Sequence, residues 1–169
     1  MRKKDLFSLV QPLLPRFYSL SVALLPDDLQ AQQLVVDAMT LCLLKHKDTW
    51  LERAWDVQDR KGHVLERKLF MKTYVRHLTD LATKRAAQLG PSLPDGELVQ
   101  AHPQFYRFDV RTRAVGWLRF QQAWSVDEIG RTLGMPRHEV IEKLHNMRYL
   151  MLGQAPHWMP TGDATEVEA

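Results

Sequence analysis

A single cysteine, Cys42, is all the thiol that this 169-residue chain contains. One thiol excludes an internal disulfide framework, and its place in an apolar run reads as a buried core side chain. Long hydrophobic runs are missing as well: no stretch reaches the roughly 18 apolar residues of a membrane span. The opening MRKKDLFSLVQPLLPRF has a basic tip, but Asp5, Pro12 and Pro15 interrupt its apolar part. It therefore lacks the continuous core of a signal peptide, and a soluble, cytoplasmic chain is expected. No convincing strand pattern and no internal repeat are found, which leaves an all-α fold. Glycine-rich phosphate loops, paired-histidine metal motifs and nucleophile–base sets are also lacking. We expect no enzyme, no cofactor and no metal.

What is present has an ordinary globular balance, 45% hydrophobic and 25% charged residues. Net charge is +3 and the pI about 9.1, which permits a nucleic-acid partner without requiring one. The distribution is more telling. Leu51 to Gly90 holds nine Lys or Arg against five Asp or Glu, whereas Gly153 to Ala169 holds three acids and neither Lys nor Arg. Positive charge is concentrated in the middle of the chain.

Apolar spacing predicts helices nearly throughout. Leu13 to Leu25 carries a stripe of Leu13, Leu14, Phe17, Leu20, Ser21 and Leu24, with Pro12 and Pro15 suited to a helix start. Pro26 ends it, and Asp27 or Asp28 can cap the next helix, Leu29 to Leu44. There Ala31, Leu34, Val35, Ala38, Leu41 and Cys42 form one buried stripe. Lys45 to Gly62 is polar, with Trp50, Leu51, Ala54 and Trp55 available to pack, and DRKGH is a turn. A long helix follows, Val64 to Leu89, stopped by Gly90 and Pro91. GPSLPDGELVQAH has no helical period and is expected to open a linker. The expected architecture is two small helical domains: residues 1–89, a linker at 90–107, and a helix-turn-helix domain at 108–152. The tail, 153–169, is expected to be disordered.

SVDEIGRTLGMPRHEVIEKLHNMRYL, Ser125 to Leu150, predicts a short helix, a tight turn and a longer helix. Ser125 and Glu128 have the spacing of a capping box. Gly134 supplies a left-handed turn residue, and Pro136 fixes the entry of the second helix. Ile129, Leu133, Val140, Leu144 and Met147 or Met151 face inward. Arg137, His138, Lys143, His145, Asn146 and Arg148 lie on the outer face, interrupted by Glu139 and Glu142. Cations there can neutralise phosphates, and Arg and Asn can read base edges. The same pattern also serves a plain helical hairpin. His138, Glu142 and His145 share a face at i, i+4 and i+7, but a solvated polar face explains them better than a metal site.

The middle helix gives a second cationic line. Lys68, Lys72 and Arg76 step by four, and His77, Lys84 and Arg85 extend the region. Met71, Val75, Leu78 and Ala82 form a separate buried stripe. Phe70 and Tyr74 flank the basic line, one turn apart. Cations track a phosphate backbone and aromatic faces stack on unpaired bases. A solvated charged face with its aromatics in the core is the competing explanation.

Together these residues resemble an extracytoplasmic-function (ECF) sigma factor, the minimal bacterial promoter-recognition subunit, over roughly Leu13 to Leu152. LQAQQLVVDAMTLCLLKHKDTW looks like the family's polymerase-binding helix: Ala31, Leu34, Val35, Asp37 and Met39 fit, while Gln32, Gln33 and Val36 replace two acids and a glutamine. LFMKTYVRHLTDLATKR is similar to the strand-opening and nearer-element helix, with Asp80, Lys84 and Arg85 aligned. RAVGWLRFQQAWSVDEIGRTLGMPRHEVIEKLHNMRYLM resembles the domain that reads the farther element. Glu128, Ile129, Leu133, Gly134, Val140, Leu144, His145 and Arg148 fit it. Ile141, Glu142 and Asn146 stand where Lys, a small residue and Arg are usual.

The resemblance implies a sigma factor that binds core RNA polymerase and directs promoter recognition and transcription initiation. Gln33 and Asp37 would face the polymerase. Lys68, Lys72, Tyr74, Arg76, Lys84 and Arg85 would meet the nearer promoter element, and Arg137, His138, Glu139, Lys143 and Arg148 the farther one. The substitutions at Gln32 and Gln33 and the acids of the groove helix suit an alternative. That is a degenerate sigma-like regulatory protein binding an anti-sigma factor or polymerase without initiating transcription. Both cationic faces are expected to be free. A compact bundle that occupies Lys72 and Lys143, with no cleft open to a nucleic acid, would end the promoter-gripping picture.

Overall fold

Pro26 and the aspartate after it separate the first two helices as the spacing predicts. The computed structural model describes residues 11–45, 62–90 and 96–152, without the side chains of 62–67 and 152. A 3-10 turn, Gln11–Leu13, leads into α1, Leu14–Leu24, whose first turn accommodates Pro15 because its missing N–H has no intrahelical acceptor there. Leu25 turns to an extended conformation and ends it. Asp27 Oδ1 then accepts the Gln30 N–H at 2.7 Å and starts α2, Asp28–Lys45. α3 runs Gly62–Leu89 and stops at Gly90, whose φ of +81° belongs to the left-handed region. Five helices follow: α4, Glu97–Ala101; α5, Pro103–Tyr106; α6, Val110–Phe120; α7, Val126–Leu133; and α8, Arg137–Leu152. The described residues are all-helical, with no strand among them. The predicted packing of Trp50, Leu51, Ala54 and Trp55, and the tail beyond residue 152, lie outside the described residues.

The stripes of the first three helices close on one another. Phe17, Leu20 and Leu24 of α1, Leu34, Ala38 and Cys42 of α2, and Phe70, Tyr74, Val75, Leu78 and Ala82 of α3 are buried. Phe17 and Tyr74 stack with ring centroids 3.8 Å apart, and Phe70 lies 6.2 Å from Tyr74. Offset stacks of this kind add roughly 0.5–1.5 kcal/mol beyond the area they bury. Burial pushes the Cys42 thiol up to about 12, so at neutral pH it is a protonated core side chain.

The core does not stop at the middle of the chain. Val110, Ala114, Val115 and Leu118 of α6, Ile129 and Leu133 of α7, and Val140 of α8 belong to the same buried cluster. α6 packs against α1, and α3 packs against both α6 and α7. Trp117 Nε1 donates to Ser19 Oγ at 3.4 Å, and the Tyr106 hydroxyl donates to the Val22 carbonyl at 3.3 Å. The stretch expected to lack helical period within the linker, 90–107, is helical over part of its described length. Residues 97–106 form α4 and α5, and Tyr106 is buried. Gly and Pro there mark turns, while Phe105 and Tyr106 anchor the segment to the core.

Candidate nucleic-acid interface

Local chemistry builds the Ser125–Leu152 unit. The Glu128 N–H donates to Ser125 Oγ, and the Ser125 N–H to Glu128 Oε2, each at 3.2 Å, completing the capping box. Gly134 takes φ +65°, ψ 38°, and the Met135 N–H donates to the Gly130 carbonyl at 2.9 Å. Gly130 has to be small: a Cβ there would stand 2.8 Å from the Met135 carbonyl oxygen. Ile129, Leu133, Val140 and Met147 are buried, Leu144 is half-buried and Met151 is exposed. A helix, a three-residue turn and a longer helix are thus formed at the predicted positions.

On the outer face of α8, His138 and Arg148 are exposed and hold no ion pair among the described residues. Arg137 lies 3.3 Å from Asp127, with both side chains mostly in solvent, a pair worth at most about 1 kcal/mol. Lys143 departs from expectation. Its Nζ donates to Thr112 Oγ1 at 3.1 Å, and stands 3.7 Å from Asp109 and 3.9 Å from Glu139. Asp109 is the N-cap of α6, accepting the Thr112 N–H at 3.0 Å and the Thr112 hydroxyl. Burial pushes the Asp109 carboxyl up, but the Thr112 hydrogen bonds and Lys143 outweigh it and hold the group below its usual range. Lys143 therefore fastens α8 to Thr112 and Asp109 at the start of α6, while Glu139 pairs with it along α8 and stays 39% exposed.

On α3, Lys68, Arg76 and Lys84 are exposed, and Arg76 and Lys84 hold no partner among the described residues. Lys72 is occupied: its Nζ stands 3.8 Å from Glu128 of α7, and both side chains are about a third exposed, at 30% and 32%. The Ser125 backbone bond above all, helped by the Ser125 hydroxyl, Lys72 and Lys68, outweighs burial and keeps the Glu128 carboxyl below its usual range. Tyr74 is corrected outright as a base-stacking residue. It is fully buried, stacks on Phe17 and donates its hydroxyl to the Val35 carbonyl at 3.2 Å. Phe70 is buried beside it. Arg85 is likewise tied inward, paired with Asp37 and donating to the Gln30 carbonyl at 3.4 Å.

That last pair joins two residues expected to face different macromolecules. Gln33 Nε2 donates to Asp37 Oδ1 at 2.9 Å, so Gln33, Asp37 and Arg85 form one chain of contacts between α2 and α3. Gln33 is exposed, but the Asp37 charge is met from within. His138, Glu142 and His145 make no metal-ligating group, and no group of three such residues that could hold an ion occurs among the described residues. The sequence marked Glu128 as a cap and as a match to the farther-element domain, not as an ion-pair partner. Its second partner, Lys72, is 56 positions away and left no local signal.

Both lysines that were expected to lie open are thus engaged in a compact bundle, and α3 packs directly on α6 and α7. In this form the two cationic faces cannot grip a duplex together through Lys72 and Lys143. The faces that stay free are Arg76 and Lys84 on α3, and His138 and Arg148 on α8. No family model matches the chain, and neither a curated protein nor a solved structure is significantly similar to it.

Proposed function

We propose that the chain is a sigma-type transcription subunit, related in design to the extracytoplasmic-function class, whose described form is closed. The observation that supports this most is the unit Val126–Leu152: a capped helix, a left-handed Gly134 and a second helix with Arg137, His138 and Arg148 in solvent. Exposed cations at a helix surface supply the phosphate contacts that position a reader on DNA. Arg76 and Lys84 on α3 offer a second set. The polymerase would be met at the exposed Gln33 edge of α2. For the described form the grip on promoter DNA through Lys72 and Lys143 is given up, and promoter DNA would be met through them only in a second form in which both have left their internal partners. No covalent chemistry is assigned to the chain; the polymerase would carry the catalysis.

A second reading is favoured by one specific observation, the internal occupation of Lys72, Lys143, Arg85 and Asp37. It is a sigma-like regulator that binds polymerase or an anti-sigma factor and starts nothing. Run-off transcription with bacterial core polymerase and a promoter library separates the two. Promoter-dependent product is the expected result. Polymerase or anti-sigma binding without product selects the regulator, and failure to bind either partner refutes both.

A further inference from the structure

The cleft between the two halves contains a guanidinium with unused donors. Arg113 of α6 is only 4% exposed. Its Nε and Nη1 are buried and have no hydrogen-bond partner among the described residues. Its guanidinium carbon lies 5.4 Å from the Tyr106 ring centroid, and the Asp109 carboxylate acts on its charge as well, but neither fills the idle Nε and Nη1 donors. A guanidinium stays protonated in a protein, and a buried cation with idle donors is costly until an anion meets it.

Arg113 lines a cleft of about 640 Å³, within the range that small molecules occupy. One wall comes from the α1–α2 turn and the end of α3, with Leu25, Pro26 and Ala86; the other comes from Phe108 and Val110. Three cations, Arg107, Arg111 and Arg113, face two acids, Asp27 and Asp109. Both acids are already engaged, Asp27 by the Gln30 N–H and Asp109 by Thr112 and Lys143. The balance left over is positive, and most of the wall is apolar.

We propose that this cleft binds a small carboxylate on an apolar body, its oxygens accepting from Arg113 while the body covers Leu25, Pro26 and Val110. Inorganic phosphate fits the walls less well, because its remaining oxygens would lose water against apolar side chains. A molecule seated there touches both halves of the chain at once. It therefore stabilises the closed packing, whatever the chain does with DNA or polymerase.

The test titrates the full chain with octanoate and, separately, with its neutral analogue octanamide. Calorimetry and the Arg113 Nε–H resonance are followed together. Octanoate is expected to bind saturably, shift that resonance and bind at least about tenfold more tightly than octanamide, a difference of about 1.4 kcal/mol. Arg113→Gln should bring octanoate down to the octanamide level. Ala86→Trp narrows the cleft without touching Arg113 and should abolish binding of both, which covers the case in which Arg113→Gln does not fold. Equal affinity for octanoate and octanamide overturns the proposal. So does inorganic phosphate binding as tightly as octanoate, or octanoate binding unaffected by Ala86→Trp.

Discussion

Lys72 Nζ lies 3.8 Å from a Glu128 carboxylate oxygen and so links the long middle helix α3 to α7, ahead of the Gly134 turn. A half-exposed pair of this kind contributes roughly 0.2–1 kcal/mol. On the sigma-type reading its larger effect would be on which charges a DNA phosphate can reach. Glu128→Gln preserves the capping box, since Gln serves at that position, and frees Lys72. On the sigma-type reading, this variant binds DNA more tightly, with a salt slope steeper by about one unit, and Lys72→Ala binds more weakly with a shallower one. Anisotropy titrations at several salt concentrations measure both slopes. Identical slopes in the two variants would remove Lys72 from the DNA surface.

Tyr74 gives a cleaner separation of stability from binding. Tyr74→Phe keeps the stack on Phe17 and loses only the hydroxyl bond to Val35, for an expected cost of about 1 kcal/mol. Tyr74→Ala empties a fully buried site and should cost about 3–5 kcal/mol. Denaturant unfolding ranks them. On the sigma-type reading, DNA affinity of folded Tyr74→Phe is expected to match that of the parent chain, because the buried ring cannot meet a base.

Three glycines should respond differently to alanine. Gly130→Ala drives a Cβ to 2.8 Å from the Met135 backbone oxygen, which cannot yield without moving the turn, so a loss of about 1–3 kcal/mol is expected. At Gly134 there is room, but φ of +65° strains any side chain, at about 1–2 kcal/mol. Gly116→Ala meets the end of the Met147 side chain, which can rotate away, and gains helix propensity in return. It should be the mildest of the three by thermal melting.

Acid should loosen the bundle through two named carboxylates. Asp109 and Glu128 both have their folded-state pKa depressed. A depressed carboxylate contributes stability that is present above the unfolded value, about 4, and is lost as pH falls through the folded value. Denaturation midpoints from pH 7 to pH 3 should therefore drop below about pH 4. Asp109→Asn should lower stability at pH 7 while flattening that acid limb, because its amide oxygen can still accept the Thr112 N–H but carries no charge toward Lys143 at any pH. An unflattened limb in this variant would assign the acid sensitivity to other carboxylates.

Much of the local structure was legible because it depends on local chemistry. Val126–Leu133 and Arg137–Leu152 begin and end where Ser125, Gly134 and Pro136 predict. The stripe of α2 is buried as its spacing requires, with Leu41 half-buried at its edge. Of the two readings of Phe70 and Tyr74 the core one holds, and the expectation of Tyr74 at a base failed for a geometric reason. Periodicity ranks positions around a helix but does not reveal how many sides are covered, and α3 is packed by α1 and α2 as well as by α6 and α7. The pairs Lys72–Glu128, Arg85–Asp37 and Lys143–Asp109 span 56, 48 and 34 positions, beyond any local pattern. Arg113 is the opposite case: one Arg among many in the sequence, it is set apart only by burial.

The bond from Trp117 to Ser19 marks where α6 shelters α1, and that shelter dictates what could pry the halves apart. A polyanion that merely competes for Lys72 would leave an oily flank of α1 naked in water, so charge alone is a poor key. On the sigma-type reading, whatever opened this chain would have to bring its own apolar ridge to lay in the place that α6 vacates.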